Sequence, residues 1–291
     1  MKIKNLKSFE EGEFPIKIIT LVQSPIELHK HDFSELVVVL RGSGTHCTAN
    51  LNYSIKAGDI FYIKPGYVHG YSNPVNLKLA NIMYFPRKIG IPLNDIGELP
   101  GYKAIFELEP DLRNSGRFNG RLNLNIADLS FAEKLVNNIK SELWSVRPGR
   151  IFMAVSYLMQ LIGFISRSYE TNLNPDTRAL FNIGRIVNHI ESTYLERFSL
   201  NAIAKKFNMS PCTLIRTFKR ATGSTPGLYA QKFKIQKASE LLVAPDATVS
   251  EVAYRSGFSD SNYFSRQFKR QTGLSPKKFR SLYLKINICP T

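Results

Sequence analysis

The stretches "SLNAIAKKFNMSPCTLIRTFKRATG" (residues 199–223) and "TVSEVAYRSGFSDSNYFSRQFKRQTG" (residues 248–273) are two copies of one pattern. From Arg216 onward the second copy lies fifty residues downstream, as in Arg216/Arg266, whereas the offset before the second helix of each copy is forty-nine. An internal repeat this long is hard to obtain by chance, so it indicates one structural unit used twice.

Each copy predicts a short amphipathic helix, a tight turn and a second helix. The turn ends in a serine suited to cap the next helix, Ser210 before Pro211 in the first copy and Ser259 before Asp260 in the second. Apolar positions fix one face of the second helix and basic residues occupy the other. This is the helix-turn-helix layout, in which the second helix enters the major groove of DNA.

The two copies are separated by "PGLYAQKFKIQKASELLV" (residues 226–243), which predicts a long helix stopped by Pro245. Such a helix would hold the two recognition helices apart. We therefore expect one protomer to touch two consecutive major grooves.

The net charge of +16 is concentrated in the second half of the chain. From Arg178 to the end, 19 Lys and Arg residues face 6 Asp and Glu residues (+13), whereas residues 1–177 hold 20 against 17 (+3). This asymmetry favours a second half that meets a polyanion, and the alternative is a basic domain that is merely soluble. The three cysteines are scattered and suggest neither a disulfide framework nor a zinc–thiolate site.

Residues 181–283 resemble the DNA-binding domain of the AraC/XylS family of bacterial transcription regulators, through the two units, the linking helix and the signature "FSDSNYFSRQFKRQTGLSPKKFR". The resemblance implies that bases are reached from the exposed side of the two recognition helices. In this sequence those positions are Cys212, Thr213, Ile215, Arg216, Ser261, Asn262, Ser265 and Arg266.

Arginine forks suit guanine and asparagine suits adenine, so Arg216, Arg266 and Asn262 are the candidates for base readout. Cys212 and Ile215 are unusual for that role and would either touch a thymine methyl group or lie beside the groove. The following basic residues are expected to grip phosphates: Lys219, Arg220, Lys269 and Arg270. The following are expected to be solvated only: Lys205, Lys206, Lys277 and Lys278.

The front of the chain, to about residue 115, reads as short strands punctuated by Gly, Pro and Asn, which predicts a sandwich or small barrel. Apolar residues recurring every three or four positions over 128–168 predict a helix hairpin, divided by "RPG" at 147–149. Its second helix is apolar nearly all round, so it would be buried in a core or in a subunit contact.

The predicted fold is therefore α+β in two domains. A β-barrel or sandwich with a C-terminal helix hairpin occupies 1–170, and a polar linker occupies 171–180. An all-α domain with two helix-turn-helix motifs and a linking helix follows over 181–286.

The front half also resembles the cupin signature, through His29-x-His31-x3-Glu35-x6-Gly42 and a second half that contains His69. In metal-binding cupins the equivalent residues hold iron, manganese, nickel or zinc, so a divalent metal bound by His29, His31, Glu35 and His69 is implied as one alternative. The other is a sugar held by polar side chains inside an apolar cup. The plausible pocket residues are His29, His31, Glu35, Arg41, Tyr62 and His69.

Stretches such as "HDFSELVVVLRGSGTH" and "GDIFYIKPGYVHGY" are similar to the sensory half of the L-rhamnose-responsive activators of this family. The implied function is a transcription regulator, an activator of sugar catabolism genes whose effector is L-rhamnose or a related sugar. It would act as a homodimer through the hairpin, with operator DNA and RNA polymerase as partners.

No catalysis and no required cofactor are expected, and the absence of a signal core or of a run of 18 apolar residues predicts a cytoplasmic protein without membrane contact. Two rival hypotheses are a metal-binding cupin that senses or turns over a small molecule, and an architectural DNA binder with an empty cup.

Overall fold

A computed structural model of the chain describes residues 3–6, 9–10, 12–92, 95–116, 121–171, 174–243 and 247–287. It divides into two units, Met1–Arg185 and Ile186–Thr291. The first unit contains the strands and the second, where it is described, is helical, which confirms the predicted α+β, two-part organisation.

The described residues of the first unit form one eight-stranded sheet. Its strands are β1 (Lys4–Asn5), β2 (Ile16–Val22), β3 (Ile26–Lys30), β4 (Ser34–Thr48), β5 (Asn52–Lys56), β6 (Asp59–Ile63), β7 (His69–Tyr84) and β8 (Leu122–Asn123). The order is β1-β3-β7-β4-β6-β8, with β2 added to β7 and β5 added to β4. All pairs are antiparallel except β1 with β3.

The long strands β4 and β7 shape this sheet. Each pairs with three neighbours, and their shared register shifts at several points between Val39 and Thr45. Gly42 lies in this irregular stretch with φ +71°, and a Cβ there would come within 2.2 Å of the carbonyl oxygen of Asn76. Bulges bend and twist a strand, so the sheet curls around an apolar core. That core contains Val37, Val39, Ile55, Phe61, Ile63, Tyr71, Leu77 and Leu79.

Residues 86–114 are largely helical, which corrects the prediction of strands up to about residue 115. The elements are α1 (Pro86–Ile89), a 3-10 helix (Ile96–Glu98), α2 (Pro100–Tyr102), a π-helix (Lys103–Leu108) and α3 (Glu109–Asn114). Pro86, Pro100 and Pro110 do not punctuate strands, as the prediction required. They lie in the first turns of helices, where the missing N–H is tolerated.

The helix hairpin is confirmed as α4 (Ile126–Trp144) and α5 (Arg150–Thr171), which pack against each other. Leu158, Ile162 and Ile165 of α5 are buried, whereas Phe152 is 75% exposed, so α5 has one core face and one outer face. By length and mean hydropathy alone, α5 is the one helix among the described residues that would suit a membrane span.

The predicted linker over 171–180 is helical from its fifth residue, because α6 begins at Pro175 and runs to Ser192. Thr177 is completely buried and its hydroxyl donates to the carbonyl of Arg121 at 3.1 Å. The polar composition was misleading, since Asn174 accepts from the backbone N–H of Asp176 at 2.9 Å at the start of this helix. Residues 172 and 173 lie outside the described residues.

The described part of the second unit continues with six helices. They are α7 (Leu200–Lys206), α8 (Pro211–Thr222), α9 (Pro226–Leu242), α10 (Val249–Arg255), α11 (Ser261–Thr272) and α12 (Pro276–Asn287). The linking helix α9 is confirmed, and Pro245, the predicted stop, lies outside the described residues. Apolar residues of α9, α10 and α11 form one core, in which Phe264 and Phe268 are fully buried.

Candidate DNA-binding and ligand-binding sites

The recognition helices α8 and α11 are held by the same side-chain positions in both copies. Leu214 and Phe218 of α8, like Phe264 and Phe268 of α11, are fully buried. Because these residues are four apart on each helix, they anchor one stripe and leave the opposite face free. From Leu214 and Phe264 onward, the two helices have the same sequence of buried and exposed residues.

The turns before the recognition helices are also equivalent. Asn208 (φ 53°) and Gly257 (φ 79°) occupy the left-handed conformation, forty-nine residues apart. In each copy the next backbone N–H returns to the first helix, from Met209 to Ala204 O at 2.9 Å and from Phe258 to Ala253 O at 3.0 Å. The offset of forty-nine in the sequence is therefore the offset of the turn itself.

One predicted cap is confirmed and the other is wrong. The hydroxyl of Ser210 accepts from the N–H of Thr213 at 3.1 Å, as expected. In the second copy Asp260 is the cap, and its carboxylate accepts from the N–H of Tyr263. Ser259 lies one position too early because α11 starts at Ser261, without a proline at its first position.

Most of the residues predicted to meet DNA are exposed on α8 and α11. The exposed ones are Cys212, Arg216, Lys219, Arg220, Asn262, Arg266, Lys269 and Arg270. The partly buried ones are Thr213, Ile215, Ser261 and Ser265. The Thr213 hydroxyl accepts from Ser210 at 2.9 Å, and Arg270 donates to Gln231 of α9 at 3.3 Å, so these two side chains are also engaged within the protein.

The predicted His/Glu cluster is assembled in the sheet interior. Glu35 Oε2 lies 3.0 Å from His31 Nε2 and 3.3 Å from His69 Nε2, and the three side chains are buried. Burial opposes ionisation of Glu35, but the hydrogen bonds from His31 and His69 outweigh it and hold its pKa below the usual range. The result is a buried carboxylate between two imidazoles.

The imidazole rings are oriented by the backbone. Nδ1 of His31 faces the carbonyl of Phe33 at 2.8 Å, and Nδ1 of His69 faces that of Tyr67 at 3.4 Å. Both Nε2 atoms are therefore turned toward Glu35. Ligand atoms of His31, Glu35 and His69 all lie within 4.8 Å of one another, and such backbone anchoring of the far nitrogen is common for histidines that bind metals.

His29, the fourth predicted ligand, lies beside this group rather than within it. It is the register partner of His69 on the neighbouring strand, and the two ring centroids are 4.2 Å apart. Its Nδ1 faces the carbonyl of Glu27 at 2.9 Å. Burial is the main cause that lowers the pKa of His29, so it favours the neutral ring.

Two predicted pocket residues do not face this interior. Arg41 is exposed at the register shift of β4. Tyr62 is paired with Leu36 in the register, so its side chain points to the opposite face of the sheet from Glu35. There its hydroxyl contacts that of Ser34 at 2.7 Å and its ring packs against Phe106.

Comparisons with known proteins agree with both halves of this description. Residues 23–112 match the family described as AraC-like ligand binding domain, and residues 203–281 match a helix-turn-helix domain family. The chain therefore carries an AraC-like ligand-binding domain and a helix-turn-helix domain. The two matches fall on the unit with the buried cluster and on the unit with the two recognition helices.

Relatives of this chain include the HTH-type transcriptional activator RhaR of Escherichia coli K12, which is 29% identical over 87% of this chain and 86% of its own length. Among solved structures, the C-terminal domain of the response regulator yesN from Fusobacterium nucleatum is 32% identical over 33% of this chain and 93% of its own, with a TM-score of 0.31. The C-terminal domain of AraT from Geobacillus stearothermophilus is 29% identical over 35% of this chain and 84% of its own, with a TM-score of 0.34.

His46 and Tyr71, which were not among the residues predicted from the sequence, lie in the same interior. The ring centroid of His46 is 5.9 Å from that of His69 and 5.2 Å from that of Tyr71. Among the described residues, neither His46 Nε2 nor the Tyr71 hydroxyl has a hydrogen-bond partner. Burial, followed by the charge of His69, puts the pKa of His46 well below its usual range.

Strand alternation could not have revealed His46, since Glu35 and His46 have opposite parity in β4. The register shifts between Val39 and Thr45 reset the alternation, so both side chains reach the interior. The signal in the sequence was the glycine pair at 42 and 44, which is typical of a bulge.

Proposed function

We propose that this AraC-family protein is a sugar-controlled transcription activator of sugar catabolism genes. The observation that carries the proposal is the cluster of buried polar side chains in the unit matched as a ligand-binding domain. Sugar hydroxyls require donors and acceptors within an apolar cup, and His46 Nε2 and the Tyr71 hydroxyl supply two that lack partners among the described residues. The similarity to RhaR favours L-rhamnose or a related sugar.

On the DNA side, Arg216 and Arg266 read guanine, Asn262 reads adenine, and the phosphate contacts come from the exposed basic residues that follow on each helix. Their exposure on two equivalent helices supports these roles. The exposed apolar side chains of the hairpin, Trp144 and Phe152 among them, support a homodimer contact there. RNA polymerase is the further partner of an activator, and the cytoplasm is where such a protein meets its DNA.

The test is calorimetric titration of L-rhamnose into the full chain after dialysis against a chelator. Saturable binding of one sugar per chain is expected, and the variant His69→Ala should weaken it at least tenfold, because it removes a polar group of the interior. Arg41→Ala serves as the matched control, since this exposed side chain lies outside the interior and should leave the affinity unchanged. Binding by His69→Ala equal to that of the parent chain would contradict the placement of the sugar.

A second candidate function is metal sensing, favoured by the three ligand atoms of His31, Glu35 and His69 within 4.8 Å. Imidazole and carboxylate donors suit iron, manganese, nickel or zinc. If no heat accompanies the sugar titration, the same experiment is repeated with each of these ions in place of the sugar. Turnover of a small molecule is not expected in either case, because the family is one of DNA-binding regulators.

A further inference from the structure

A fully buried ion pair lies between the sheet and the helix hairpin of the first unit. Nη1 of Arg113 donates to Oε1 of Glu109 at 2.6 Å, and the two side chains are 3% and 0% exposed. Both belong to α3. A buried pair loses much of its Coulombic gain to desolvation, so its presence is not explained by stability alone.

Toward the sheet, this ion pair connects with the interior described above. Arg113 Nη2 donates to the carbonyl of Tyr62 at 2.6 Å, and its guanidinium group lies 5.4 Å from the ring centroid of Phe61. A hydrogen bond with Tyr53 is among the causes that raise the pKa of Arg113, after burial, which lowers it. The Tyr53 hydroxyl in turn contacts Nδ1 of His46 at 2.7 Å.

Toward the hairpin, the pair faces Tyr169 near the end of α5. Tyr169 is fully buried, and the charges of Glu109 and Arg113 both affect its pKa, which burial raises well above the usual range. Neither Glu109 Oε2 nor the Tyr169 hydroxyl has a hydrogen-bond partner among the described residues. Two polar atoms are therefore buried in one region without being paired with each other.

We propose that a polar chain from His46 through Tyr53, Arg113 and Glu109 to Tyr169 transmits occupancy of the sheet interior to α5. The inference rests on the proposed function, because a ligand is what would bias the chain at His46. Unpaired buried polar atoms are costly, so an arrangement in which the Tyr169 hydroxyl and Glu109 Oε2 share a hydrogen bond competes with the one described here. Two such arrangements of one helix are what a switch requires.

In this scheme Arg113 and Glu109 are positioning residues. A ligand hydroxyl that pairs with His46 Nε2 alters the His46–Tyr53 contact. That change moves the guanidinium group of Arg113, which contacts both Tyr53 and Glu109. The carboxyl group of Glu109 then gains its hydrogen bond with Tyr169. Tyr169 lies two residues before the end of α5 at Thr171, and α6 starts at Pro175, so a shift there reaches the end of the hairpin.

The experiment needs no ligand, so its outcome does not depend on the identity of the effector. Amide hydrogen exchange is measured on the full chain and on Tyr53→Phe, which removes only the hydroxyl that joins His46 to Arg113. We expect exchange within residues 162–171 of α5 to change at least threefold. The matched control is Tyr67→Phe, which removes a hydroxyl that donates to Asp111 of α3 at 2.7 Å, outside the polar chain. It should leave α5 unchanged.

Unchanged exchange of α5 in Tyr53→Phe would overturn the proposal, and so would an equal change in Tyr67→Phe, which would mean general loosening of α3. If Tyr53→Phe does not fold, amide hydrogen exchange is measured instead on Tyr169→Phe. The substitution is then in α5, and the exchange is followed at residues 52–56 of β5. That substitution removes no hydrogen bond seen in this structure but prevents the competing arrangement in which Tyr169 pairs with Glu109. Exchange at β5 should therefore change by a similar factor. An unaltered β5 would equally overturn the proposal.

A second arm separates this inference from the proposed function. L-rhamnose is added to the parent chain and to Tyr169→Phe. Binding that changes exchange at α5 in the parent chain but not in Tyr169→Phe supports the polar chain. Binding with no change at α5 in the parent chain overturns it, while leaving the sugar-sensing proposal intact.

Discussion

At the scale of single residues, side chains that are close in the sequence differ in how exposed they are. Leu214 and Arg216 are two positions apart on α8, but one is fully buried and the other exposed. Helical periodicity predicted this difference directly. In contrast, the chemistry of Tyr62 suits a pocket, but strand alternation turns its side chain away from Glu35.

Arg266→Ala should lose about 1–3 kcal/mol of discrimination for duplexes with guanine at the contacted position, because the paired hydrogen bonds to O6 and N7 disappear. The measurement is fluorescence anisotropy at fixed salt, comparing a duplex selected for tight binding with a random one. The control is Lys277→Ala, which removes an exposed lysine of α12. It should weaken binding to both duplexes equally or not at all. Equal weakening by Arg266→Ala on both duplexes would contradict base readout by this residue.

Glu109 should make stability depend on pH. Burial is the main cause that raises the pKa of Glu109 to about 8. The charges of Arg113 and Arg121 lower this pKa, and the charge of Asp59 raises it. The pKa in the folded state exceeds the unfolded value, so this contribution is fully present below about pH 4.5 and is lost as the pH rises through about 8. We expect stability to fall over that range with a slope approaching about 1.4 kcal/mol per pH unit.

The check is urea unfolding of the full chain followed by circular dichroism across this range. Glu109→Gln should remove the dependence, while the exposed control Glu98→Gln should keep it. Parallel pH profiles for the parent chain and Glu109→Gln would show that Glu109 does not titrate there.

At the scale of elements, the helices of the second unit could be predicted closely because repeat, periodicity and caps agreed. The segment over 86–114 could not, since its short helices begin at prolines and include a π-helix. The buried cluster was only partly predictable. Three of its members follow a short motif, whereas His46 depends on bulges in β4 that cannot be located from alternation.

The two caps offer a test at this scale. Ser210→Ala and Asp260→Ala should each cost about 1 kcal/mol, whereas Ser259→Ala should cost almost nothing, because its side chain is not the cap of α11. Amide exchange in the first turns of α8 and α11 measures this, with about fivefold acceleration for each lost cap. Acceleration of α11 by Ser259→Ala but not by Asp260→Ala would restore the original prediction.

At the scale of the whole molecule, a nearly neutral sensing half is joined to a strongly basic half with two recognition helices. Charge asymmetry alone predicted a polyanion partner, and the repeat specified DNA. The effector was not predictable to the same depth, since the same buried imidazoles and carboxylate suit a metal or a sugar. A sugar controls transcription only if it binds two states of the protein unequally, a coupling of typically about 1–3 kcal/mol.

The most direct test of a ligand-controlled regulator is the affinity of the full chain for its selected duplex with and without saturating L-rhamnose, at one salt concentration. The account predicts a change of about 5- to 150-fold, which Tyr169→Phe reduces and Tyr157→Phe on the same helix does not. Saturable sugar binding with identical DNA affinity in both conditions would contradict it and would leave an architectural DNA binder whose sensing half does not control its DNA-binding half.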